Sequence, residues 1–464
     1  MRKTVPFLFI FSLIWLMPNQ ALPQMISTAE TIGVVSSGQT PFWLQSNRYG
    51  RVAGNGSHLL TRFQLHSRTN PAENIILRYG ADLIARPGTE STLTFNQAYL
   101  KVNAYGFELS AGRFHNKSPI HDDAAGMGSL GVSGNATPVP QVRLALADWT
   151  ALPFTNEFIK IRAHIAHGWL GSRRFTDDVL FHEKVGHARF GGDFALNLYG
   201  GVAHYAVWGG TNNPRFGDMP SSLSDFARVF VVVGGDENAP YGEEAYMLGD
   251  HKGAWDFGFF LELDNLSVTG YRQFPLETKN NLKFKSAQDA LTGVSFLFDE
   301  NSPVRRLTYE FLYTKWQNGP LLENTDPEGR DEFMGNENYY NHTIYQTGWV
   351  YNGRTIGNPL FIPRPDNAGV YENITNNRIV AHHLGLTAVT GSVSFTGRAT
   401  FSRNYGTRIN PFDTHRNQWS FGAGIDAPIR LADKDLNLLF EVGWDRGALI
   451  GNQAGVLAGV RWVL

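Results

Sequence analysis

Apolar and polar residues alternate along much of this chain, and the alternating runs are long. From Val393 to Phe401 one set is Val393, Phe395, Gly397, Ala399 and Phe401, and the other is Ser394, Thr396, Arg398 and Thr400. Successive side chains of a strand point to opposite faces, so this segment has one apolar and one polar face. The same split runs through Ile159 to Ile165, Trp255 to Leu263, Leu307 to Tyr313, Trp419 to Ile429 and Leu436 to Trp444, and a last run, Val456 to Leu464, reaches the final residue. These lengths approach the roughly nine to eleven residues with which a strand crosses a bilayer; strands of soluble proteins average about five or six. Trp169, Trp208, Trp316 and Trp444 stand at run ends, where membrane interfaces place aromatic rings. The pattern predicts an all-β fold, a transmembrane antiparallel β-barrel whose last strand closes the ring. Soluble sandwiches and propellers also alternate, but run length, the terminal aromatics and the lack of a repeat of about 20–50 residues go against them.

Connection lengths add a topology. Walking back from the C-terminus, longer segments (446–453, 403–416, 317–377, 275–289, 209–253, 170–177) alternate with tight ones at 433–435, 390–391, 299–303, 264–265 and 191–192. Bacterial barrels have short periplasmic turns, longer outer loops and an even strand number. Sixteen strands follow directly. Two further candidates, 40–47 around Phe42-Trp43-Leu44 and 139–147, make eighteen and extend the rhythm upstream, with sixteen as the alternative. Long outer loops are then expected at 115–138, 209–253 and 317–377, with both termini periplasmic. One segment near 221–233 departs from period two. Leu223, Phe226, Ala227 and Phe230 follow helical spacing, with Ser221 or Ser222 as cap and Gly234-Gly235 as stop. Such a helix would pack into the lumen or onto the rim; a strand through Val229–Val233 is the competing reading.

Residues 1–21, with Arg2 and Lys3, an apolar run from Val5 to Met17 and Ala21, have the order of a cleaved export leader. The remaining 22–464 show no linker and read as one barrel domain. Forty basic and 42 acidic residues give a net charge of −2 with no basic block, which speaks against nucleic acid as a partner. Cysteine is absent, so disulfides do not hold the fold.

Chemical motifs are weak. Gly126-Met127-Gly128-Ser129-Leu130-Gly131 has the GxGxxG spacing, but no strand precedes it and Pro138 and Pro140 follow, so it reads as a flexible loop. His182-Glu183-Lys184-Val185-Gly186-His187 misses the zinc spacing by one residue, and on a strand the two histidines face opposite sides. The pairs Asp122/Asp123, Asp177/Asp178 and Glu243/Glu244 are adjacent and read as solvated loop charges. Of His382 and His383, one must face lipid or the interface, leaving its neighbour for the lumen or rim. No catalytic set, metal site or cofactor is expected.

The informative segment is 317–377. Tyr339, Tyr340, Tyr345, Trp349, Tyr351, Phe361 and Tyr371 alternate there with amides and with Arg354. Aromatic faces beside planar hydrogen-bonding groups suit sugar rings, although the same rings would also pack a small core of the loop's own. Tyr339, Tyr340, Tyr345, Trp349, Tyr351 and Arg354 are the candidate polysaccharide-binding residues.

Four stretches carry a family resemblance: Thr40-Pro41-Phe42-Trp43-Leu44 through Asn47-Arg48-Tyr49-Gly50, Gly128 to Leu144, Asn197 to Gly210 and Gly348 to Leu360. Spread over most of the chain, they resemble the capsule assembly Wzi family of outer-membrane proteins, in the form common among Bacteroidetes-like bacteria. The resemblance implies an eighteen-stranded barrel with helical elements closing its lumen, a surface lectin that holds capsular polysaccharide on the outer membrane. It transfers no binding residue, and the single helix candidate departs from it. The expected partners are capsular or other surface polysaccharide and outer-membrane lipid, with a monomer favoured. The alternatives are a porin-like channel for polar solutes and an outer-membrane lipid or glycan hydrolase.

Overall fold

The computed structural model describes residues 24–464 apart from 88–91, 117–119, 123, 147, 279–280, 282–283, 285, 318, 320–336, 366–370 and 432–433. The expected leader, Asp123, Asp433 and part of the 317–377 connection lie outside the described residues. Nine strands form the first half of the wall: β1 (Gln24–Ser36), β2 (His58–Ala72), β3 (Ile75–Arg86), β4 (Thr92–Ala104), β5 (Phe107–Arg113), β6 (Gln141–Leu146), β7 (Ile159–Trp169), β8 (Leu180–Phe190) and β9 (Leu196–Trp208). The second half is β10 (Asp250–Leu263), β11 (Leu266–Pro275), β12 (Ala290–Phe298), β13 (Val304–Tyr313), β14 (Ile379–Thr390), β15 (Val393–Gly406), β16 (Pro411–Leu431), β17 (Lys434–Gly447) and β18 (Gln453–Val463). Each pairs antiparallel with the next, and β1 pairs with β18 from Thr28↔Val463 to Ser36↔Gly455, so the ring is closed. Thr150–Ala151 continues the position of β6 along β7 without adding a strand.

Closure satisfies the backbone of every strand within the wall, the condition for crossing hydrocarbon. Alternation then sorts the side chains. On β17, Leu438, Phe440, Val442 and Trp444 are exposed on the outside, while Asp445 and Glu441 point inward. Tight links at 73–74, 105–106, 264–265 and 391–392 lie at one end, together with both ends of the described chain; the long segments 37–57, 114–140, 209–249 and 314–378 lie at the other. The expected loop 403–416 shrinks to 407–410 because β15 and β16 extend beyond the wall's mean height.

Eighteen strands stand as expected, with one exchanged. The candidate at 139–147 is β6, but Phe42–Gln45 is a helical turn, α1, inside the barrel, and β1 takes the place assigned to 40–47. Phe42, Trp43 and Leu44 are all buried, which alternation between lipid and lumen would forbid. The wall admits them because it is glycine where they touch it. A Cβ at Gly422 would stand 2.7 Å from that of Trp43, and one at Gly443 2.7 Å from Leu44 and Pro41.

The expected helix forms as α2 (Leu223–Val231), with Ser222 and Asp225 making a reciprocal capping box. It ends at Val232 in the left-handed region (φ 61°), before Gly234-Gly235, and a second short helix, α3 (Tyr241–Ala245), follows. The placement differs from expectation. Phe181 and Tyr205 face the lumen, so their neighbours His182 and Ala206 face outward, and α2 covers that outer face: Phe226 stands edge-on to His182 with centroids 5.3 Å apart, and Val229 packs with Ala206 and Trp208. An apolar stripe beside a wall whose lumen is already filled has only the outside to pack on. His182 and His187 do face opposite sides, His187 meeting Asp256 inside at 3.0 Å.

Phe440 lies midway along β17 on the outer face, so Phe440→Arg should lower stability in lipid vesicles by about 2–4 kcal/mol, measured by urea unfolding. Thr396→Arg on the inner face should cost less than about 0.5 kcal/mol. Equal losses would contradict the assignment of faces.

Candidate functional site

Two segments enter the barrel and interlock. The first, 120–140, carries the GxGxxG spacing, which forms part of a buried plug and not a flexible loop. Met127 N–H donates to the Glu310 carboxylate of β13, and Leu130 N–H to Gln273 Oε1 of β11 at 2.6 Å. A Cβ on Gly131 would meet the Tyr205 ring at 2.6 Å, so the missing side chain is a packing requirement. Asp122 is likewise no solvated loop charge. It accepts from Ala124 N, Ala125 N and Ser295 Oγ, and pairs with Arg306 at 3.0 Å. His383, the inward member of its pair, accepts at Nδ1 from Thr400 Oγ1 at 2.8 Å and donates through Nε2 to Ala125 O at 2.7 Å, while His382 turns outward to Tyr309.

The second segment, 337–365, lies on the first. Trp349 Nε1 donates to Gly131 O at 2.8 Å, Asn358 Nδ2 to Gly128 O at 2.6 Å and Ser133 Oγ to Gly357 O at 2.6 Å. Tyr339 donates to Asp289 Oδ2 at 2.7 Å, Tyr340 to Leu130 O, and Tyr351 accepts from Arg113 at 2.9 Å. Tyr345 packs beside His342. The structure thus brings the candidate aromatics together, but as the interior of the plug: all five rings are between 0 and 5 % exposed. Arg354 is half-buried and donates to Gln45 Oε1 at 3.0 Å and Val52 O at 2.7 Å, tying the plug to the end of α1 and the segment after it.

What faces solvent is the polar ground around them. A cleft of roughly 1550 Å³ opens at the long-loop end, lined among others by Arg215, Asn338, Asn341, Arg364, Asn373 and Phe412. In its wall Lys252 Nζ contacts Asp250 Oδ1 at 2.5 Å and Glu277 Oε2 at 3.1 Å, and Glu277 also accepts from Tyr340 N at 3.0 Å. Glu337 accepts from Thr278 Oγ1. Burial pushes the carboxyl of Glu277 up to about 8 despite Lys252, that of Glu337 up to about 7 and that of Glu243, which also feels Asp250, up to about 8. Glu243 is therefore another charge that sequence reading wrongly left in solvent. Exposed amides and guanidinium groups beside the Phe412 ring can hydrogen-bond hydroxyl edges while the ring meets an apolar sugar face. Arg215, Arg364 and Asn373 went unnoticed because scattered single polar residues carry no periodic signal.

A family model for the capsule assembly protein Wzi matches residues 28–362. Among solved structures, the chain is similar to Wzi of Escherichia coli, an outer-membrane protein involved in group 1 capsule assembly and a carbohydrate-binding β-barrel. That likeness has a TM-score of 0.56 at 16 % identity and covers 93 % of this chain and 83 % of that one. OpdL of Pseudomonas aeruginosa shows a TM-score of 0.49 at 9 % identity over 96 % of this chain and 99 % of that one, and OccK5 (OpdH) of the same organism 0.48 at 10 % over 95 % and 98 %. No curated protein matches the sequence. The family match spans well over half of the chain and runs from the first wall strand through the interlocked plug, and the chain therefore belongs to the capsule assembly Wzi family.

Proposed function

We propose that this outer-membrane barrel binds capsular polysaccharide at the cell surface through the polar cleft over its plug, as a binding protein and not an enzyme. The observation that carries the reading is the plug itself, which fills the long-loop half of the lumen with packed aromatic rings and leaves a cleft of amides, guanidinium groups and carboxylates at that end. The aromatics of 337–351 act beneath that surface, holding Asn338 and Asn341 in place. The carbohydrate-binding character of the E. coli structure supports the same reading. In this account the export leader at 1–21 is removed, both termini face the periplasm because the tight links lie at their end, and the protein acts as a monomer whose exposed apolar belt meets outer-membrane lipid.

Labelled capsular polysaccharide should bind cells displaying the protein. Arg364→Ala with Asn373→Ala should weaken binding about tenfold, or about 1.4 kcal/mol, while Trp349→Ala should weaken it by loosening the plug. Absent binding, or binding unchanged in the double variant, would count against the cleft.

Plug stability should also fall as pH rises. Glu243, Glu277 and Glu337 keep protons in the folded state that the unfolded chain releases near 4.5, so their contribution is complete below that pH and is lost through about 7–8. Hydrogen exchange of residues 337–350, corrected for intrinsic rate, should show more protection at pH 5 than at pH 8; equal or reversed protection would refute the protonated carboxyls.

A further inference from the structure

The lumen on the short-turn side of the plug is accessible. Leu297 and Arg78 point inward there and yet are 42 % and 36 % exposed, respectively. The inner wall of that half is strongly cationic between β3 and β8, where Arg78, Lys101, Arg143, Lys160, Arg162 and Arg189 share one face. Arg78 stands directly opposite Lys101, and Lys160 directly opposite Arg189. Like charges so placed destabilise a sheet unless something neutralises them.

The wall supplies little neutralisation. Glu108 takes Arg143 at 3.1 Å and Lys101 and Arg78 at 3.6 Å each, three cations to one carboxylate. Lys160 leans away to the exposed Glu157 at 3.0 Å. Among the described residues, Arg162 feels Asp148 and Glu108 electrostatically but has no hydrogen-bond partner, and Arg189 bonds only through Nε, to Asn197 Oδ1 at 2.9 Å. Aromatic rings support several of these cations. Lys101 and Arg143 lie over the Phe114 ring at 4.4 and 4.7 Å, and Arg189 lies over Phe260 at 4.8 Å. Trp149, from the connection between β6 and β7, reaches the same place, with its ring centroid 6.4 Å from that of Phe260.

We propose that this wall is a second glycan site, distinct from the surface cleft, which takes the carboxylate-bearing sugars of an acidic polysaccharide from the short-turn end. Guanidinium forks grip carboxylates through paired hydrogen bonds, and Arg162 and Arg189 keep donors open for that purpose. Arg78 beside Lys101 and Lys160 beside Arg189 stand on neighbouring strands, about 4.8 Å apart, and with Arg143 and Arg162 they spread charge over five strands, which matches a chain of repeated charges better than a single small anion. Trp149, resting edge-on against Phe260, offers an aromatic face to the sugar rings between those charges.

The test is calorimetric titration of the purified full-length protein in detergent with a hexamer of galacturonic acid and with neutral maltohexaose. The acidic hexamer should bind, with affinity falling at least fivefold between 50 and 500 mM salt. Arg162→Gln with Arg189→Gln should weaken it at least tenfold. The single Arg162→Gln change, at a half-exposed position, gives a smaller loss in the same direction and covers the case in which the double variant fails to fold. In an Arg364→Ala, Asn373→Ala background, which removes the surface cleft's share of the heat, the acidic hexamer should still bind and the Arg162 and Arg189 changes should still weaken it. No binding of the acidic hexamer, equal binding of the neutral one, unchanged affinity in the Arg162 and Arg189 variants, or abolition by the cleft variant alone would each overturn the lumenal site, whatever the fate of the surface cleft.

Discussion

The pairing of β1 with β18 is the constraint from which the rest of the structure follows. Hydrocarbon offers no partner for a backbone N–H or C=O, so a sheet that crosses it cannot end in an open edge. Once Thr28 to Ser36 and Gly455 to Val463 close the ring, strand parity is fixed all the way round. Apolar members of the alternating pairs then face lipid and polar members face the interior, as Leu438, Phe440 and Val442 do against Glu441 and Asp445; the parity breaks where the plug packs on Phe181 inside and α2 covers His182 outside.

A ring of eighteen strands is wider than its own side chains can fill, and this chain fills it from the long-loop end with segments of itself. The joints between plug and wall are of two kinds. Where the plug backbone needs acceptors, the wall provides buried polar groups: Glu310 for Met127, Gln273 for Leu130, and Asp445 for the N–H of Phe42 at 2.8 Å. Where the plug needs room, the wall gives up side chains, as at Gly422 and Gly443 beneath Trp43 and Leu44. Polar residues that alternation assigns to a water-filled lumen are thus converted, in one half of the barrel, into anchors, and in the other half they remain in contact with water.

Strand parity, the order of short and long connections, the strand count and the capped helix at 221–233 were all legible in the sequence, because each rests on a local periodicity or a local cap. The misplacements share a cause. Phe42-Trp43-Leu44 resembles a strand locally, and only the glycines nearly 400 residues away reveal that it is a lumenal turn. Tyr339 to Tyr351 sit in a long connection, where loops are ordinarily exposed, and their burial depends on Gly128, Gly131 and Tyr205 lying in wait inside the barrel. Asp122 and Glu243 were mistaken for solvated charges for the same reason. Long-range packing leaves no periodic trace. The aromatic rings of 339–351 lie beneath the cleft and not on its surface.

A barrel closed by a packed plug and a barrel that conducts polar solutes share the same wall, and they part on whether current passes. Single-channel recording of the purified protein in planar bilayers measures this directly. The account predicts that the intact protein shows no steady open state, and that removing residues 126–137 produces one. A steady, large conductance from the intact protein would contradict the plugged lumen on which the surface cleft depends.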